Sequence, residues 1–399
     1  MADHHIDILI VGGGLIGATL MRALQPTGLR CMLVDNHPLP QRFDADFDAR
    51  SVALSAASVR ILQRLDIWPL IQANASAIDT IHVSEQGRFG TACFESPDHE
   101  PLGHVIDIQS LMHALYRSLD PQALWVPASV IAFDAQKRVA TLQKGDRQYT
   151  VQAQLFVAAD GSNSIMRSLC DLSAQVKDYG QHALVANIGL ARPHQHVAYE
   201  RFTTSGPLAL LPLGLKRMSL VWSLPPDEAN RLLCMSDAVF LQLLTKAFGY
   251  RLGRLLHVGR RVIYPLKQIL MPEQTHGSVV FIGNAAHTLH PVAGQGFNLG
   301  LRDVAMLAQT IQQKGLKEDD VLEHYRKARH EDQMTITQFT DFLIKVYTHP
   351  GRGMAWVRQL GLMALDNHSA MKQILSRYAS GFGGYVPDLV CGIPLTEPV

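Results

Sequence analysis

Residues 6–35 read IDILIVGGGLIGATLMRALQPTGLRCMLVD. An apolar run ends in a glycine-rich turn, a helical pattern follows, and a second apolar run closes the segment, which predicts a strand–helix–strand unit. Gly12, Gly14 and Gly17 form G-x-G-x-x-G, whose glycines permit the tight turn, the approach of a pyrophosphate and close helix packing. Asp35 ends the second run, where an acid binds a ribose hydroxyl. The segment therefore predicts a dinucleotide site.

A second glycine-rich stretch, residues 279–303, reads VVFIGNAAHTLHPVAGQGFNLGLRD. An apolar strand leads into a small-residue turn, and a loop containing Pro291 and Gly294 then opens a helix. Such a loop presents several unpaired backbone N–H groups at a helix N-terminus, where they stabilise negative charge. His287 and His290 flank the turn. One interpretation makes them proton shuttles; packing inside the core is the alternative, and it is the favoured one.

The composition excludes several classes of protein. The 399 residues carry a net charge of +1, which gives no electrostatic case for nucleic acid, and 47% are hydrophobic, enough for two cores. The five cysteines are dispersed without a CxxC pair, and we expect no metal site. Asp3 and Asp7 flank the first apolar run, unlike a signal peptide. We expect a cytoplasmic protein, with peripheral contact to the inner membrane as an option.

The middle of the chain differs in its sequence pattern from the segments before and after it. Residues 177–275 contain short, β-rich stretches separated by glycine and proline turns, which predicts an antiparallel sheet. Residues 79–94 resemble a hairpin of the same layer, so this substrate layer is expected to be inserted into the nucleotide-binding layer. The remaining expected units are three pieces of the nucleotide-binding layer, 1–78, 95–176 and 276–350, and a helical C-terminal segment, 351–399.

A third motif is VAADGSNSIMR, residues 157–167, in which an apolar run ends at Asp160 and Gly161. Together the three motifs resemble the flavin-binding signature of the flavoprotein aromatic hydroxylases. The resemblance implies an α/β fold: a Rossmann-like FAD-binding domain of the group A flavoprotein monooxygenase type, an inserted antiparallel-sheet substrate domain and a helical C-terminus. It also implies bound FAD, with NAD(P)H as the electron donor. Because no second G-x-G-x-x-G follows a strand, the donor is expected to bind only transiently.

The same resemblance assigns residues to the cofactor. Arg50 matches an arginine near the flavin, and Gln109 matches an Arg or Gln that touches it. The family usually places an acid after the first glycine of the 279–303 motif, whereas this chain has Asn284, an amide without charge. The expected cofactor-binding set is Gly12, Gly14, Gly17, Asp35, Arg50, Gln109, Asp160, Gly283, Asn284, Pro291, Gly294, Gly296 and Asn298.

Within the family, the chain is most similar to the ubiquinone-biosynthesis hydroxylases, in particular the 2-polyprenyl-6-methoxyphenol hydroxylase branch. The segments that carry this match are DARSVALS (48–55), YERFTTSGPLALLPL (199–213), AFGYRLG (247–253) and GNAAHTLHP (283–291). The resemblance implies O2-dependent hydroxylation of a polyprenylated phenol at ring C1 through a flavin C4a-hydroperoxide. Residues expected at the ring site are Phe202, Leu211, Trp222 and Pro291.

Two alternatives stay open. One is a sister ring hydroxylase of the same pathway. The other is a flavin-binding, non-catalytic subunit that scaffolds other ubiquinone-biosynthesis proteins. Met371, Ile374, Leu375 and Tyr378 have the i, i+3, i+4, i+7 spacing of one helix face, which would suit a membrane, a partner protein or internal packing.

Overall fold

The computed structural model describes residues 2–38, 50–95, 100–316, 318–348, 352–383, 386–393 and 395. Its strands are β1 (His4–Val11), β2 (Cys31–Val34), β3 (Ser51–Ser55), β4 (Ser76–Ile78), β5 (Thr80–Glu85), β6 (Thr91–Glu95), β7 (Gly103–Asp107), β8 (Leu124–Trp125), β9 (Ser129–Asp134), β10 (Val139–Lys144), β11 (Arg147–Ala158), β12 (Gln175–Leu190), β13 (Val197–Phe202), β14 (Pro207–Leu213), β15 (Arg217–Leu224), β16 (Leu255–Val258), β17 (Val262–Leu270), β18 (Thr275–His276), β19 (Val279–Phe281) and β20 (His287–Thr288). Its α-helices are α1 (Leu15–Leu24), α2 (Ala56–Arg64), α3 (Trp68–Ile71), α4 (Ile108–Arg117), α5 (Ile165–Leu169), α6 (Pro226–Cys234), α7 (Asp237–Phe248), α8 (Gln295–Lys314), α9 (Glu318–Thr348), α10 (Arg352–Asn367), α11 (Ser369–Ala379) and α12 (Asp388–Cys391).

The first sheet is built around the N-terminal strand. Its order is β18-β19-β11-β1-β2-β8, with β10 and β9 added antiparallel beside β11. Strand β1 runs parallel to both β11 and β2. Ile8, Leu9 and Ile10 are fully buried in succession because both faces of β1 are covered, as is usual for parallel sheets. The carboxyl ends of β1 and β2 therefore meet at one edge, where the glycine turn lies.

The second sheet carries most of the middle of the chain. Its order is β20-β17-β12-β15-β14-β13-β5-β6, with β16 paired to β12. The expected hairpin is present as β5 and β6, and β5 joins this sheet through a parallel pairing with β13. One strand departs from the expected division: β20, which follows residue 276, pairs with β17 of this sheet. The boundaries of the domains themselves stay a prediction.

A third, small antiparallel sheet has the strand order β3-β7-β4. Helix α2 begins after Ser55, whose hydroxyl accepts the Ser58 N–H as an N-cap. Helix α8 packs against α1 and α9. The helical C-terminus is present as α10, α11 and α12, so the predicted α/β architecture is confirmed. Among the described residues, none of the helices combines the length and apolar composition needed to cross a bilayer.

Candidate active site

The glycine turn between β1 and α1 has the shape that a dinucleotide requires. Gly12 has φ of +107°, and a Cβ on Gly17 would lie 1.9 Å from the Gly12 carbonyl oxygen, so neither position accepts a side chain without strain. A Cβ on Gly14 would meet nothing within 4 Å. Helix α1 begins there without a side-chain cap. Its first N–H groups therefore face open space that a pyrophosphate can fill.

Asp35 lies at this turn, directly after β2. Its Oδ2 accepts the Gly13 N–H at 2.6 Å, and the Tyr116 hydroxyl donates to the Gly13 carbonyl at 2.6 Å. The turn is thus fixed from both sides, by an acid that the sequence pattern singles out and by a tyrosine of α4 that it does not. Contact between Asp35 and a ribose stays a prediction.

The Asp160 segment follows β11, which runs parallel to β1, so it lies beside the glycine turn at the same edge of the sheet. Asp160 Oδ2 accepts the Met166 N–H at 3.1 Å, while its Oδ1 is buried with no hydrogen-bond partner among the described residues. Burial raises the pKa of this carboxyl. Arg167 donates to the Ala285 carbonyl at 3.1 Å, so the segment is tied to the 279–303 motif. The orphaned oxygen is available to a hydroxyl of a bound cofactor.

The 279–303 motif forms a helical turn, a short loop and the start of α8. Gly294 adopts the left-handed conformation immediately before α8, which begins without a side-chain cap, and a Cβ on Gly296 would meet nothing within 4 Å. Asn298 holds the loop, because its Nδ2 donates to the carbonyls of Ala53 and Gly294 at 2.9 and 2.8 Å. Asn284 is exposed. The loop therefore presents open N–H groups, as a flavin ring would need.

Arg50 and Gln109 lie close together in the backbone, where β3 begins and β7 ends. The Ile108 N–H donates to the Arg50 carbonyl at 3.2 Å, so the residue before β3 and the start of α4 are adjacent. Gln109 lines a cleft of about 950 Å³ with His113, Arg117 and, from β15, Arg217. Residues 48 and 49 of DARSVALS lie outside the described residues. Contact of Arg50 and Gln109 with the cofactor stays a prediction.

The two histidines of the motif occupy different environments. His287 is buried, and its Nε2 donates to Asp303 Oδ2 at 2.6 Å. Asp303 also accepts the Gly283 N–H at 3.0 Å and pairs with Arg329 at 2.8 Å. Burial raises the pKa of Asp303, but His287 and Arg329 outweigh it and leave that pKa below its usual value. His287 thus anchors the motif to α8 and α9, which favours the packing interpretation over a shuttle.

His290 is also buried, and it packs edge-on against the Tyr179 ring, with 5.1 Å between ring centroids. Its Nδ1 accepts the Val292 N–H at 3.1 Å. Burial lowers the pKa of His290 to about 4, so the ring is neutral at physiological pH. A neutral imidazole whose Nδ1 is engaged by the backbone shapes the loop, and proton transfer by His290 finds no support in these contacts.

A cavity of about 120 Å³ lies between the Gly294 loop, β3 and the second sheet. It is comparable with the roughly 150 Å³ cavities that accept benzene in a protein core. Of the four residues expected at a ring site, Leu211 and Pro291 line it. Its full lining is Ala53, Leu54, Ser55, Ile78, Ile81, Leu102, Gly103, Ala198, Tyr199, Glu200, Ala209, Leu211, Val221, Pro291, Ala293, Gly294, Gln295 and Asn298.

The structure places the other two expected ring-site residues elsewhere. Trp222 follows the cavity-lining Val221, and because successive side chains of a strand point to opposite faces, its indole enters the core on the far side of the sheet. Phe202 stacks on Tyr347 of α9, with 3.2 Å between ring centroids, and packs with Val292. Trp222 and Phe202 therefore pack the walls and do not line this cavity, and their contact with a substrate stays a prediction.

Glu200 was not singled out by the sequence, yet it is the acid among the cavity's lining residues. Its Oε1 is buried and has no hydrogen-bond partner among the described residues. Burial raises the pKa of this carboxyl to about 7. The sequence signal for this site is slight: Glu200 is a charged residue, and the positions on the same face of β13, Ala198 and Phe202, are apolar.

The contacts fit FAD. The open space at Gly14 suits a pyrophosphate, the orphaned Asp160 oxygen suits a ribityl or ribose hydroxyl, and the uncapped start of α8 suits the electron-rich side of a flavin. All three lie at the edge of the first sheet or beside the cavity.

Comparisons with known proteins agree with this fit. Residues 5–340 match the family model described as an FAD binding domain. The "Ubiquinone hydroxylase UbiL" of Rhodospirillum rubrum is 33% identical over 99% of this chain and 94% of its own length. The "3-demethoxyubiquinol 3-hydroxylase" of Escherichia coli is 29% identical over 96% of this chain and 100% of its own.

A solved structure shares the fold. PqsL of Pseudomonas aeruginosa, a probable FAD-dependent monooxygenase, matches with a TM-score of 0.75 and 21% identity, over 90% of this chain and 100% of its own. At that identity the likeness concerns the architecture alone. The predicted FAD cofactor and the predicted hydroxylase class are confirmed by the family match and the curated relatives together. The chain therefore belongs to the family of FAD-binding-domain proteins and, within it, to the FAD-dependent hydroxylases of ubiquinone biosynthesis.

Proposed function

We propose that the protein hydroxylates the ring of a polyprenylated phenol, with 2-polyprenyl-6-methoxyphenol as substrate and ring C1 as the site. The observation that carries the proposal is the cavity of about 120 Å³, which adjoins the Gly294 loop and is walled mainly by apolar side chains. A ring held there faces the place where the flavin would lie. The ring position follows the resemblance of residues 199–213 and 283–291 to one branch of the family.

Bound FAD would supply the redox chemistry, activating O2 and passing one oxygen atom to the ring. The protein would contribute orientation and a site from which water is excluded. The turn at Gly14, together with Asp35 and Asp160, would hold the adenosine and pyrophosphate end. The start of α8 would place its backbone N–H groups against the flavin, where they stabilise negative charge on the reduced ring.

NADH or NADPH is the proposed electron donor. The cleft of about 950 Å³ that begins at Gln109 is lined by His113, Arg117, His196 and Arg217. The guanidinium groups of Arg117 and Arg217 suit the phosphates of a dinucleotide. A donor in this cleft would lie beside the residues assigned to the flavin, which supports transient binding there in the absence of a second G-x-G-x-x-G.

Peripheral contact with the inner membrane is also proposed, because a polyprenyl tail is a lipid. Helices α10 and α11 expose six large apolar side chains, each at least 40% accessible. These are Trp356, Val357, Leu360, Met363, Met371 and Ile374. Such a face would bring the cavity's entrance to the lipid that holds the substrate.

The test is hydroxylation by the purified, FAD-loaded protein, supplied with NADH or NADPH, ¹⁸O2 and a short-tailed 2-prenyl-6-methoxyphenol. We expect one ¹⁸O atom in the product, with nuclear magnetic resonance placing it at ring C1. Incorporation at another ring position would favour a sister hydroxylase. A protein that holds FAD but yields no oxygenated phenol with either donor would contradict the proposal and favour the scaffold alternative.

A pair of variants links activity to the cavity. Ala209 lines the cavity and Leu210, its neighbour, packs on the opposite face of the sheet. Ala209→Leu should fill ring space and reduce turnover at least about tenfold while FAD stays bound. Leu210→Met conserves volume in the core and should leave turnover near the wild-type value. Equal turnover in both variants would place the ring elsewhere.

A further inference from the structure

Glu200 has a polar atom that its surroundings do not satisfy. The residue lies on β13, and its Oε1 is buried without a partner among the described residues. A buried carboxyl without a hydrogen bond is costly, so native proteins rarely leave one. The same side chain lines the cavity together with Pro291 and Gly294. The missing partner is therefore expected from a molecule that enters the cavity.

The elements packed around Glu200 offer it little. Its register partners are Ala209 on β14 and Val83 on β5, both apolar. Across the cavity, Gln295 is neutral. The next residue, Arg201, points to the other face, where its Nε donates to the Ala247 carbonyl at 3.1 Å. No ion pair to Glu200 occurs among the described residues, and a carboxylate there would be uncompensated until a ligand arrives.

One titratable side chain bears on Glu200 from a neighbouring helix. Tyr347, on α9, has a pKa raised by burial and by the carboxylates of Glu85 and Glu200. Its ring stacks on Phe202, and Glu85 itself pairs with Arg358 at 2.8 Å. The phenol of Tyr347 is therefore neutral throughout the range in which Glu200 titrates, and the charge on Glu200 follows its own burial.

We propose that Glu200 binds the phenolic hydroxyl of the substrate and takes its proton as the ring is hydroxylated. This inference rests on the proposed phenol substrate. A carboxylate that accepts from a phenol gains the hydrogen bond it lacks, and the ring gains the electron density that attack on an electrophilic oxygen needs. Apolar walls make this transfer effective, because water does not compete for the proton.

The step balances. The phenolic O–H bond breaks as the new ring C–O bond forms, and its proton passes to Glu200, leaving a ring ketone. The O–O bond of the activated oxygen breaks as one of its atoms joins the ring. The ring then loses the hydrogen of the oxygenated carbon as a proton, and that proton leaves with the second oxygen atom as part of the water formed. Glu200 returns its proton to the ketone oxygen, so the aromatic ring is restored and the carboxylate is regenerated. The oxidant is O2 activated by the reduced cofactor, which the enzyme class supplies.

Binding gives a test that does not depend on turnover. Burial sets the pKa of Glu200 near 7, so affinity of the oxidised holoenzyme for a short-tailed methoxyphenol should rise about tenfold between pH 6 and pH 8. The phenol itself, with a pKa near 10, stays protonated in this range. Its methyl ether has no proton to donate, so its affinity should not rise. Flavin absorbance reports both titrations.

Glu200→Gln gives the matching kinetic test. The amide keeps the size and can accept a hydrogen bond, but it cannot take a proton. We expect kcat to fall roughly a hundredfold with little change in KM, and the rise of kcat/KM through pH 7 to disappear. Glu228→Gln is the control, because Glu228 is a half-buried acid of α6 that pairs with Ser205. It should keep both the rate and the pH profile.

The outcomes separate two failures. If the wild type hydroxylates a phenol and Glu200→Gln does so at the same rate and with the same pH profile, the role of Glu200 is overturned alone. Equal pH dependence for phenol and methyl ether in the wild type overturns it as well, even if the variant fails to fold. A wild-type holoenzyme that neither binds nor hydroxylates a phenol rejects the proposed function, and this role with it.

Discussion

Gly14 and Gly17 belong to one motif, but the structure separates what each contributes. A side chain on Gly17 would collide with the Gly12 carbonyl oxygen at 1.9 Å, so this glycine is needed for folding. A side chain on Gly14 would enter empty space, and its φ of −65° suits any residue. The described structure therefore gives no steric reason for a glycine at position 14, and the approach of a cofactor pyrophosphate is the reason that we propose.

We predict that Gly14→Val folds normally and loses FAD. Its midpoint of thermal unfolding should match that of the wild-type apoprotein, while its Kd for FAD, measured by flavin fluorescence, should rise about tenfold or more. Gly17→Ala is the contrasting variant, since it should lower the unfolding midpoint of the apoprotein itself. A yellow Gly14→Val preparation with stoichiometric FAD would refute the placement of the pyrophosphate.

Some residues of the candidate site can be predicted from the sequence and others cannot. The glycine turn and Asp35 are predictable because a local pattern encodes them over 30 residues. The face on which Trp222 lies is not predictable, since it depends on the register of the strand, and the structure places Val221 rather than Trp222 at the cavity. Glu200 was missed because a lack of partners appears only when β5, β14 and the Gly294 loop have assembled around it.

At the scale of elements, α8 and α9 hold the turn at Gly283 through buried charges. Asp303 on α8 accepts the Gly283 N–H and binds Arg329 of α9, which also pairs with Asp332. The cluster connects the loop that would touch the cofactor to a 31-residue helix. No sequence period predicts it, because its members come from three separate segments.

Arg329→Met should therefore be strongly destabilising. It leaves the buried carboxylates of Asp303 and Asp332 under-compensated, which costs about 3–5 kcal/mol of unfolding free energy, measured by urea denaturation. FAD retention should fall with it, because the Gly283 loop loses its anchor. Lys327→Met, two residues earlier on the same helix, breaks an exposed pair with Glu323 and should cost less than about 1 kcal/mol. Similar losses in both variants would contradict the anchoring role.

At the scale of the molecule, the C-terminal helices both pack and expose apolar surface. The α10 side chain of Gln359 accepts the Gly90 N–H at 2.6 Å, and Asp366 accepts the Cys93 N–H at 3.0 Å, so α10 is docked on the β5–β6 hairpin. The same helix also exposes the side chains of Trp356 and Leu360. The Met371 and Ile374 side chains of the predicted stripe are also exposed, Leu375 is half-buried, and the side chain of Tyr378 lies outside the described residues.

We predict that Leu360→Glu combined with Ile374→Glu reduces flotation with vesicles of anionic and zwitterionic phospholipid by roughly tenfold, because two apolar contacts become charged. Hydroxylation of a short-tailed, water-soluble phenol should be unaffected. Val176→Glu, at an equally exposed position on β12, is the control and should float like the wild type. Flotation that is unchanged in the double variant would leave the exposed face without a membrane role.

The alternation of β14 and β15 has a consequence for how such an enzyme can diverge. Ala209, Leu211 and Val221 face the ring cavity, whereas Leu210 and Trp222 face a helix-packed core across the same sheet. One layer of backbone therefore separates the side chains that shape the ring cavity from those that pack in the helix-covered core. A lineage can exchange small and large residues on the inner face and acquire a new ring preference, while the packing of Leu210 and Trp222 on the other face is inherited unaltered.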